Sequence, residues 1–555
     1  MHIDLNNSAP ARIHGDVAII GAGAAGITLA RRLLAGGLTV VLLESGGLDF
    51  EKATAELNRG YNIGQNYYEL EDSRLRFFGG TTAIWGGRAV ELDPIDFIRR
   101  PWVPHSGWPI TAGDLRPYYK QARAALDLPE TGPSQAEMAS VLPQFDKRAL
   151  TTPIWSFDGK ADRFSFARSR DLVEHPRCTI LTHATVREII PDEAQRGVER
   201  LAVRSGRGCD VEVRARHYVL AAGGIENPRL LLASRRASPA GLGNRHDLVG
   251  RFFMEHPHAR GGRIVGKSAW FWLNAFKKRK AGGTFAAATI ALAEPMQARR
   301  GLLNTSLTVA GRRPADARQP ALMAAYQMIR HKAEPTVSGR RMWRAAKGGV
   351  NALQGIADPL RPWLLNRMGK LDVALLVRAE QSPNPDSRVT LSDELDSQGV
   401  PRVKLDWRTN ALDVDSVRGL VDVLGDETRR LGLGDVQPAG WLSDPDRQWV
   451  TDPLISTHAL GGYHHMGTTR MSDDPRHGVT DAQTRVHGLH NLYVAGSSLF
   501  PTSGWANPTL TIIALAMRTA DRIIDEARGT VTSSARASDP ADVRRRVTEP
   551  ATCDA

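Results

Sequence analysis

The stretch DVAIIGAGAAGITLARRLLAGGLTVVLLE, residues 16–44, decides the fold. It contains an apolar run, a glycine turn, an Ala- and Leu-rich segment that stops at Gly36 and Gly37, a second apolar run and a terminal acid, Glu44. This order predicts two parallel strands joined by a helix. The stretch is therefore predicted to form a βαβ unit.

The glycines of this unit are spaced as in a dinucleotide-binding turn. Gly21 allows the tight turn, Gly23 lets a phosphate approach the backbone, and Gly26 lets the helix pack closely on the strand. Phosphate charge would meet the helix N-terminus, and Glu44 could accept hydrogen bonds from ribose hydroxyls. The alternative is a glycine-rich turn in an unrelated α/β domain. The motif occurs once, so we expect one dinucleotide, but this unit alone does not decide between FAD and NAD.

The composition is typical of a globular protein with at least two domains. The chain has 555 residues, of which 42% are hydrophobic, and three cysteines, too few for a disulfide framework or a haem-attachment motif. It shows neither a signal-peptide core nor an apolar run of bilayer-spanning length, so we expect a cytoplasmic protein.

The net charge of +12 is spread along the chain, and we expect no nucleic-acid partner. A denser cluster is WFWLNAFKKRK, residues 270–280, where aromatic residues precede four cations. This segment could contact an anionic membrane surface or an acidic protein. The alternative is a solvated lid or domain edge.

Glycine-rich segments recur further along the chain. RFFGGTTAIWGGR, residues 76–88, could bring backbone amides against a flat ring system, although a plain turn is the alternative. TILTHATVREII (179–190) is predicted to form strands, and HYVLAAGGIENPRLLLAS (217–234) to form a strand, a glycine loop and a helix. In residues 491–524 a strand ends at Ala495, and Asn507 and Pro508 are predicted to start a long amphipathic helix as N-cap and first helical residue.

In this order, the segments resemble the glucose–methanol–choline (GMC) family of FAD-dependent alcohol oxidases and dehydrogenases, over residues 16–524. The most specific are the βαβ unit, GGTTAIWGG, YVLAAGGIENPRLLL, the His464–Thr468 segment HHMGT and ANPTLT at 506–511. DLVGRFFMEHP (247–257) and EQSPNPDSRVTL (380–391) look like connecting segments of that family. The ANPTLT block is most similar to the pyranose 2-oxidase and fructose dehydrogenase branches.

The resemblance implies an α/β fold with a Rossmann-like FAD-binding domain of residues 12–257 and 453–528. Residues 258–452 would form an α+β substrate domain with a mainly antiparallel sheet, and strand-like runs with a helical insertion near 320–370 agree with this. Residues 529–555, rich in Ser, Ala, Asp and Arg, are predicted to be disordered.

The resemblance also implies one FAD. Several members attach it to a histidine four residues after the second glycine of the GG pair. That position is Ile84 here, so we expect FAD without a covalent bond. Near the ribityl chain this sequence has Gly496-Ser497-Ser498 in place of an acid, so backbone amides or a hydroxyl would make that contact. The expected FAD contacts are Gly21, Gly23, Ala24, Ala25, Gly26, Glu44, Ser45, Gly79, Gly80, Thr81, Thr82, Trp85, Gly86, Gly87, Val186, Ala222, Gly223, Gly496, Ser497, Asn507, Pro508 and Thr509.

Alcohol oxidation needs a base for the hydroxyl proton while hydride leaves for flavin N5, and a neutral imidazole (pKa ~6.5) suits this task. The segment GGYHHMGTTRM, residues 461–471, offers two histidines. The family pattern selects His464, and in an extended segment His465 would face away from the flavin. The family's partner position falls on Asn507, whose amide can hold the substrate oxygen. The alternative for His464 is a buried structural histidine. We expect no metal site.

Substrate contacts are predicted at Glu380 and Gln381, at the end of a strand, and at Tyr463, His465 and Trp505, beside the catalytic positions. The expected substrate is a sugar or glycoside hydroxyl, and the expected acceptor is oxygen, a quinone or a redox protein. Two other functions remain open. One is an NAD(P)H-dependent flavin reductase or monooxygenase, and the other is a membrane- or protein-binding module in which FAD is structural.

Overall fold

The computed structural model describes residues 1–160, 162–317, 334–456, 458–533 and 548–550. The described strands form four sheets, of nine, six, four and three strands. The strands are β1 (His2–Asp4), β2 (Pro10–Ile20), β3 (Val40–Leu43), β4 (Gly60–Asn62), β5 (Arg88–Ala89), β6 (Leu150–Thr151), β7 (Ile154–Phe157), β8 (Cys178–Thr182), β9 (Ala184–Pro191), β10 (Val198–Ser205), β11 (Asp210–Leu220), β12 (His258–Val265), β13 (Arg279–Ala281), β14 (Thr284–Ala288), β15 (Ile290–Leu292), β16 (Ser306–Arg312), β17 (Asp372–Arg378), β18 (Arg388–Leu395), β19 (Pro401–Asp406), β20 (Asp435–Pro438), β21 (Leu492–Val494) and β22 (Thr548–Pro550).

Helices connect and cover these sheets. They are α1 (Ala24–Ala35), α2 (Lys52–Glu56), α3 (Pro94–Phe97), α4 (Ala112–Ala125), α5 (Gln135–Met138), α6 (Arg170–Val173), α7 (Gly223–Ala233), α8 (Ala269–Ala275), α9 (Glu294–Arg300), α10 (Val337–Ile356), α11 (Leu360–Arg367), α12 (Ala411–Arg430) and α13 (Thr509–Ser533), with 3₁₀ turns at Gly80–Ile84, Phe166–Arg168, Gly440–Ser443 and Ser497–Leu499.

The nine-stranded sheet contains the predicted βαβ unit. Its strand order is β1-β8-β3-β2-β11-β10-β9, and β2 pairs in parallel with both β3 and β11. Helix α1 ends at Ala35 and is terminated by Gly37, whose φ of +96° is a left-handed conformation that favours glycine, and Leu38 N–H donates to the Leu33 carbonyl at 3.1 Å. The second half of β11 pairs in parallel with β21, so the C-terminal region returns to the centre of this sheet.

The six-stranded sheet is antiparallel throughout, in the order β20-β12-β17-β16-β15-β6. Helix α12 packs on it, and Val417 and Val421 of this helix share a buried core with Leu375 and Val377 of β17. The two large sheets confirm the predicted fold class, an α/β domain with a Rossmann-like unit plus a region with a mainly antiparallel sheet.

The smaller sheets join segments far apart in the chain. The four-stranded sheet, β13-β14-β7-β5, combines strands of residues 279–288 with strands from residues 88–157. The three-stranded sheet, β18-β19-β4, pairs Val403 with Gly60. Sheet pairing therefore crosses the expected division at residues 257 and 258, which stays a prediction.

The C-terminal helix differs from the sequence-based expectation at both ends. Helix α13 starts at Thr509, and the Pro508 carbonyl accepts from Ile512 N–H at 2.8 Å, so Asn507 precedes the helix and is not its N-cap. The helix continues to Ser533, into the segment predicted to be disordered, whose residues 534–547 and 551–555 lie outside the described residues.

The insertion near 320–370 is helical where it is described, in α10 and α11, and residues 318–333 lie outside the described part. None of the described helices combines the length and the apolar character needed to cross a membrane. In the segment 270–280, Trp272 and Phe276 are buried in the core under α8, whereas Trp270 is exposed. This inward packing favours a domain edge, and a membrane or protein contact through the segment stays a prediction.

Candidate active site

A cavity of about 1620 Å³ is lined by residues of both large sheets. One end is formed by the turn between β2 and α1, the end of β3 and the N-terminus of α7. The other end is formed by His464, Asn507 and the strands β16 and β17. The cavity therefore connects the predicted dinucleotide turn with the predicted catalytic pair.

At the end of the cavity formed by the turn between β2 and α1, the backbone of glycine residues faces the cavity. Gly21 has a φ of +110°, and a Cβ there would lie 2.7 Å from the Ala221 carbonyl oxygen. A Cβ on Gly26 would lie 1.9 Å from the Gly21 carbonyl oxygen, so Gly26 serves helix packing, as predicted. A Cβ on Gly23 would meet nothing within 4 Å, because this residue faces the cavity. The turn thus leaves room for a phosphate against the α1 N-terminus.

Glu44 lies at the same end, where a ribose would sit. Its carboxylate accepts from Ala22 N–H at 3.1 Å and from Gly46 N–H at 3.0 Å. Burial raises the pKa of this carboxyl. Each carboxylate oxygen of Glu44 accepts one hydrogen bond from a backbone N–H and has a further lone pair that can accept from a hydroxyl group. These acceptor sites fit the hydroxyl groups of a dinucleotide's ribose.

Most of the predicted cofactor residues line this cavity. Gly26 and Gly87 do not: Gly26 packs against the β2 turn, and a Cβ on Gly87 would lie 2.3 Å from the Asp158 carbonyl oxygen. The predicted residues that line the cavity are Gly21, Gly23, Ala24, Ala25, Glu44, Ser45, Gly79, Gly80, Thr81, Thr82, Trp85, Gly86, Val186, Ala222, Gly223, Gly496, Ser497, Asn507, Pro508 and Thr509.

At the other end, the structure brings His464 and Asn507 together. Nε2 of His464 lies 3.4 Å from Nδ2 of Asn507, although the residues are 43 positions apart in the chain. Among the described residues, His464 is the only hydrogen-bond partner of the Asn507 amide. Both side chains line the cavity. A substrate oxygen between them could contact a base and a donor at once.

A second histidine fixes the orientation of His464. His256 Nε2 lies 2.8 Å from the Gly504 carbonyl oxygen, which can only accept, so this nitrogen carries the proton. In neutral His256, Nδ1 is then an acceptor, and it lies 2.7 Å from Nδ1 of His464. His464 must therefore donate through Nδ1, which leaves the lone pair of Nε2 on the cavity side, toward the Asn507 amide.

Glu255 holds the backbone of this segment. Its carboxylate accepts from the backbone N–H groups of His464 at 2.9 Å, Gly462 at 3.1 Å and His256 at 2.8 Å, and from the Tyr67 hydroxyl at 2.7 Å. The side chain is fully buried. One carboxylate thus ties the two histidine segments together.

The environment keeps these imidazoles neutral. Burial is the largest cause that holds the pKa of His464 well below its usual value, and interactions with the neighbouring His256, His258 and Arg378 lower this pKa further. Burial also lowers the pKa of His256 to about 4. A neutral imidazole is the form that can accept a proton.

The neighbouring His465 has a different environment. Its Nε2 lies 3.0 Å from the Tyr67 hydroxyl, and its ring packs against Phe253 with centroids 5.8 Å apart. It lines the cavity, but its ring is directed to this buried cluster and away from Asn507. Tyr463 also lines the cavity, with its ring 4.6 Å from that of Tyr68.

Three predicted substrate contacts are not supported. Glu380 is fully buried in an ion pair with Arg100, and Gln381 accepts from the backbone N–H of Glu255 and the Trp407 indole while donating to the Arg408 carbonyl. Trp505 is buried and donates to Asp93 at 2.8 Å. None of the three lines the cavity, because their polar groups are used inside the protein.

Sequence reasoning missed Glu255 and His256. Both stand in the segment DLVGRFFMEHP, which was interpreted only as a connection. The run EHPH at 255–258 concentrates titratable groups just before a strand, and this concentration was the available indication.

The chain is similar to known FAD-dependent oxidoreductases. A family model described as FAD dependent oxidoreductase matches residues 16–239, and one described as GMC oxidoreductase matches residues 383–516. The chain is 28% identical to a 6'''-hydroxyparomomycin C oxidase of Streptomyces lividus, over 92% of this chain and 91% of that protein. It is 23% identical to the fructose dehydrogenase large subunit of Gluconobacter japonicus, over 93% and 98%.

Among solved structures, pyridoxine 4-oxidase from Mesorbium loti superposes with a TM-score of 0.53 at 17% identity, covering 91% of this chain and 98% of that one. This likeness shows a shared fold. Together, these matches confirm the family resemblance predicted from the sequence.

Proposed function

Since the chain belongs to the GMC oxidoreductase family and is an FAD-dependent enzyme that oxidises alcohols, we propose that it converts a sugar or glycoside hydroxyl to a carbonyl with His464 as the base. FAD, when bound, supplies the hydride acceptor, flavin N5. The observation that carries the proposal is the 3.4 Å separation of His464 Nε2 and Asn507 Nδ2 at the cavity wall.

Each of these two side chains has one task. The lone pair on His464 Nε2 takes the hydroxyl proton, a role for which positioned bases typically give about 10²–10⁴-fold. The Asn507 amide donates to the same oxygen as it becomes an alkoxide and then a carbonyl. His256 keeps the other His464 nitrogen protonated, so the lone pair stays on the substrate side.

The carbohydrate substrate is supported by what the relatives act on. One is named for a hydroxyparomomycin and the other for fructose. Their names also include both an oxidase and a dehydrogenase, so the external acceptor of this chain stays open between oxygen, a quinone and a redox protein.

We also propose that FAD is bound without a covalent bond. Ile84, at the position where some members carry the linking histidine, ends the 3₁₀ turn Gly80–Ile84 and lines the cavity. An aliphatic side chain offers no nucleophile for attachment. The cofactor would then be held by the βαβ turn, Glu44 and the glycine backbones at 223 and 496, where a Cβ would meet nothing within 4 Å.

Anaerobic flavin bleaching tests the function. The purified holoenzyme is mixed with sugars and glycosides without oxygen, and the flavin absorbance is followed. We expect bleaching by a subset of these alcohols. Bleaching by NADPH, with none by any alcohol, would show that the enzyme is a reductase and would refute the proposal.

A further inference from the structure

Three arginines line the cavity on the side of His464 without a carboxylate partner. They are Arg88 on β5, Arg312 on β16 and Arg378 on β17. No carboxylate among the described residues lies within 4 Å of their guanidinium nitrogens. Of the residues outside the described part, 161, 318–333 and 457 include no Asp or Glu, whereas 534–547 include Asp539 and Asp542.

Arg378 is the arginine most firmly oriented into the site. His258, opposite it on the neighbouring strand β12, lies with Nε2 3.0 Å from the Arg378 Nη1. His258 Nδ1 lies 2.6 Å from the His458 carbonyl oxygen, so Nδ1 carries the proton and Nε2 accepts from Arg378. The bond therefore fixes the guanidinium without neutralising it. Arg378 Nε has no hydrogen-bond partner among the described residues.

The other two arginines are held by aromatic rings and backbone carbonyls. Arg88 lies 5.5 Å from the ring centroids of Trp155 and of Phe157, and its Nε has no partner among the described residues. Arg312 donates to the carbonyls of Ile455 at 2.7 Å and Gly311 at 2.9 Å. Burial lowers the pKa of Arg378, and the charges of Arg88 and Arg312 lower it further, as expected for uncompensated cations.

Four other arginines of the same cavity are paired with carboxylates. Arg74, Arg76 and Arg229 share Glu226, with the closest contact at 2.7 Å, and Arg340 pairs with Asp49 at 3.1 Å. The fold thus supplies carboxylates beside the arginines near the dinucleotide turn. Buried charges without a partner are expensive, and a site that keeps three of them close together favours an anion.

On the premise of the proposed function, we propose that the substrate carries an acidic group, a carboxylate or a phosphate, that binds Arg378 together with Arg88 and Arg312. The acid would lie in the same chamber as the hydroxyl held by His464 and Asn507. A guanidinium fork can bind either oxyanion through two parallel hydrogen bonds. The substrate class is therefore an acidic sugar or an acidic glycoside.

Because Arg378 is close enough to lower the pKa of His464, an acidic group bound to Arg378 would change that pKa. The charge of Arg378 is among those that hold the pKa of His464 down. A bound anion would offset that charge and raise the basicity of His464 only when the acidic substrate is present. A neutral sugar would lack both the contact and this effect.

A matched sugar series tests the inference in the oxidised holoenzyme, without turnover. Methyl glycosides of glucuronate, glucose and glucosamine share one ring and differ in charge, and binding is read from the flavin difference spectrum. We expect the glucuronate to bind about 10-fold or more tightly than the glucose, and the glucosamine to bind more weakly than either. Glucose 6-phosphate and inorganic phosphate extend the series to the second oxyanion.

Two variants of Arg378 test whether this arginine causes the preference for the glucuronate glycoside. Arg378→Met should lower the glucuronate affinity by about 10-fold, toward that of the glucose, and Arg378→Lys should restore part of it. The control is Arg263→Met, in the same sheet, where the arginine pairs with Asp372 and is partly exposed away from the cavity. It removes one positive charge as well, and the preference should persist. FAD content shows that each variant is folded.

Equal affinity for the three glycosides, or no saturable binding of any anion, would overturn the inference. An unchanged glucuronate affinity in Arg378→Met with a lower flavin reduction potential would also overturn it, because the charge would then serve the reduced flavin. Alcohol-dependent bleaching without any preference for acids would refute this inference and leave the proposed function. Anion binding without alcohol-dependent bleaching would refute the proposed function.

Discussion

His464 Nδ1 lies 2.7 Å from His256 Nδ1, while His464 Nε2 lies 3.4 Å from the Asn507 amide. The contact with His256 determines what His464 presents to Asn507, because a neutral imidazole that donates through Nδ1 has a lone pair at Nε2. The Gly504 carbonyl accepts the proton of His256 Nε2, and His256 Nδ1 accepts the proton of His464 Nδ1. These two hydrogen bonds fix the tautomers of both imidazoles. The lone pair that the proposed base needs is therefore oriented before any substrate binds.

Removing the base should slow the chemical step and leave the cofactor in place. In His464→Ala, the anaerobic rate constant of flavin reduction is expected to fall about 10²-fold or more, because among the described residues only His464 contacts the Asn507 amide. The control is His477→Ala, which removes an exposed imidazole. Stopped-flow absorbance measures the rate, and an unchanged rate in His464→Ala would exclude the role.

His256 is expected to act as a positioning residue. His256→Phe removes the acceptor of the His464 Nδ1 proton, so flavin reduction should slow about 10-fold or more. His256→Gln keeps an acceptor oxygen toward His464 and an N–H toward Gly504 and should recover much of the rate. A purely structural role would be indicated if both variants were equally slow and had the same pH profile as the parent enzyme.

The pH profile of flavin reduction should be flat where an ordinary histidine would titrate. Burial and neighbouring positive charge hold the pKa of His464 well below ~6.5, so the imidazole stays neutral as the pH falls through that value. We expect the reduction rate constant to be constant from about pH 8 to below pH 6. A half-loss of rate near pH 6.5 would show that His464 is not desolvated in the working enzyme.

The sequence specified local elements better than long-range pairings. The βαβ unit, the strand before Ala495 and the helix after Pro508 follow from contiguous periodic patterns. Two-residue strands such as Arg88–Ala89 and Leu150–Thr151 show no periodicity, and their partners lie 60 or more positions away. Their pairing depends on the tertiary fold.

At the candidate active site, too, local sequence patterns predicted more than they did for contacts between distant segments. The pattern HHMGT and the Asn507 position predicted, through the family resemblance, the two side chains that the structure brings together and for which we propose catalysis. Glu380 was wrong as a substrate contact because a carboxylate at a strand end can equally be buried against a distant arginine, here Arg100, 280 positions away. His256, Glu255 and Arg378 make their contacts with residues far apart in the sequence. The run EHPH marks the first two as a group of titratable residues, but no local spacing indicates which residues they contact.

Noncovalent attachment of FAD can be tested directly. Acid precipitation of the purified protein should release yellow flavin into the supernatant, because Ile84 supplies no nucleophile. As a control, Ile84→His places an imidazole at the position that some family members use for attachment. Flavin retained in the pellet of the parent protein would contradict the expectation and would direct the search to another attachment residue.

The buried histidines should also make the fold sensitive to mild acid. The pKa of His256 is about 4 in the folded protein, against ~6.5 in the unfolded chain, so below pH 6.5 the unfolded chain binds more protons. The free energy of unfolding should then fall with decreasing pH, by about 1.4 kcal/mol per pH unit from this group, until about pH 4, and His256 should have no effect above pH 6.5. Denaturant midpoints of the parent and of His256→Gln, measured across this range, isolate the contribution. Parallel pH dependences for the two proteins would show that His256 is not held neutral by burial.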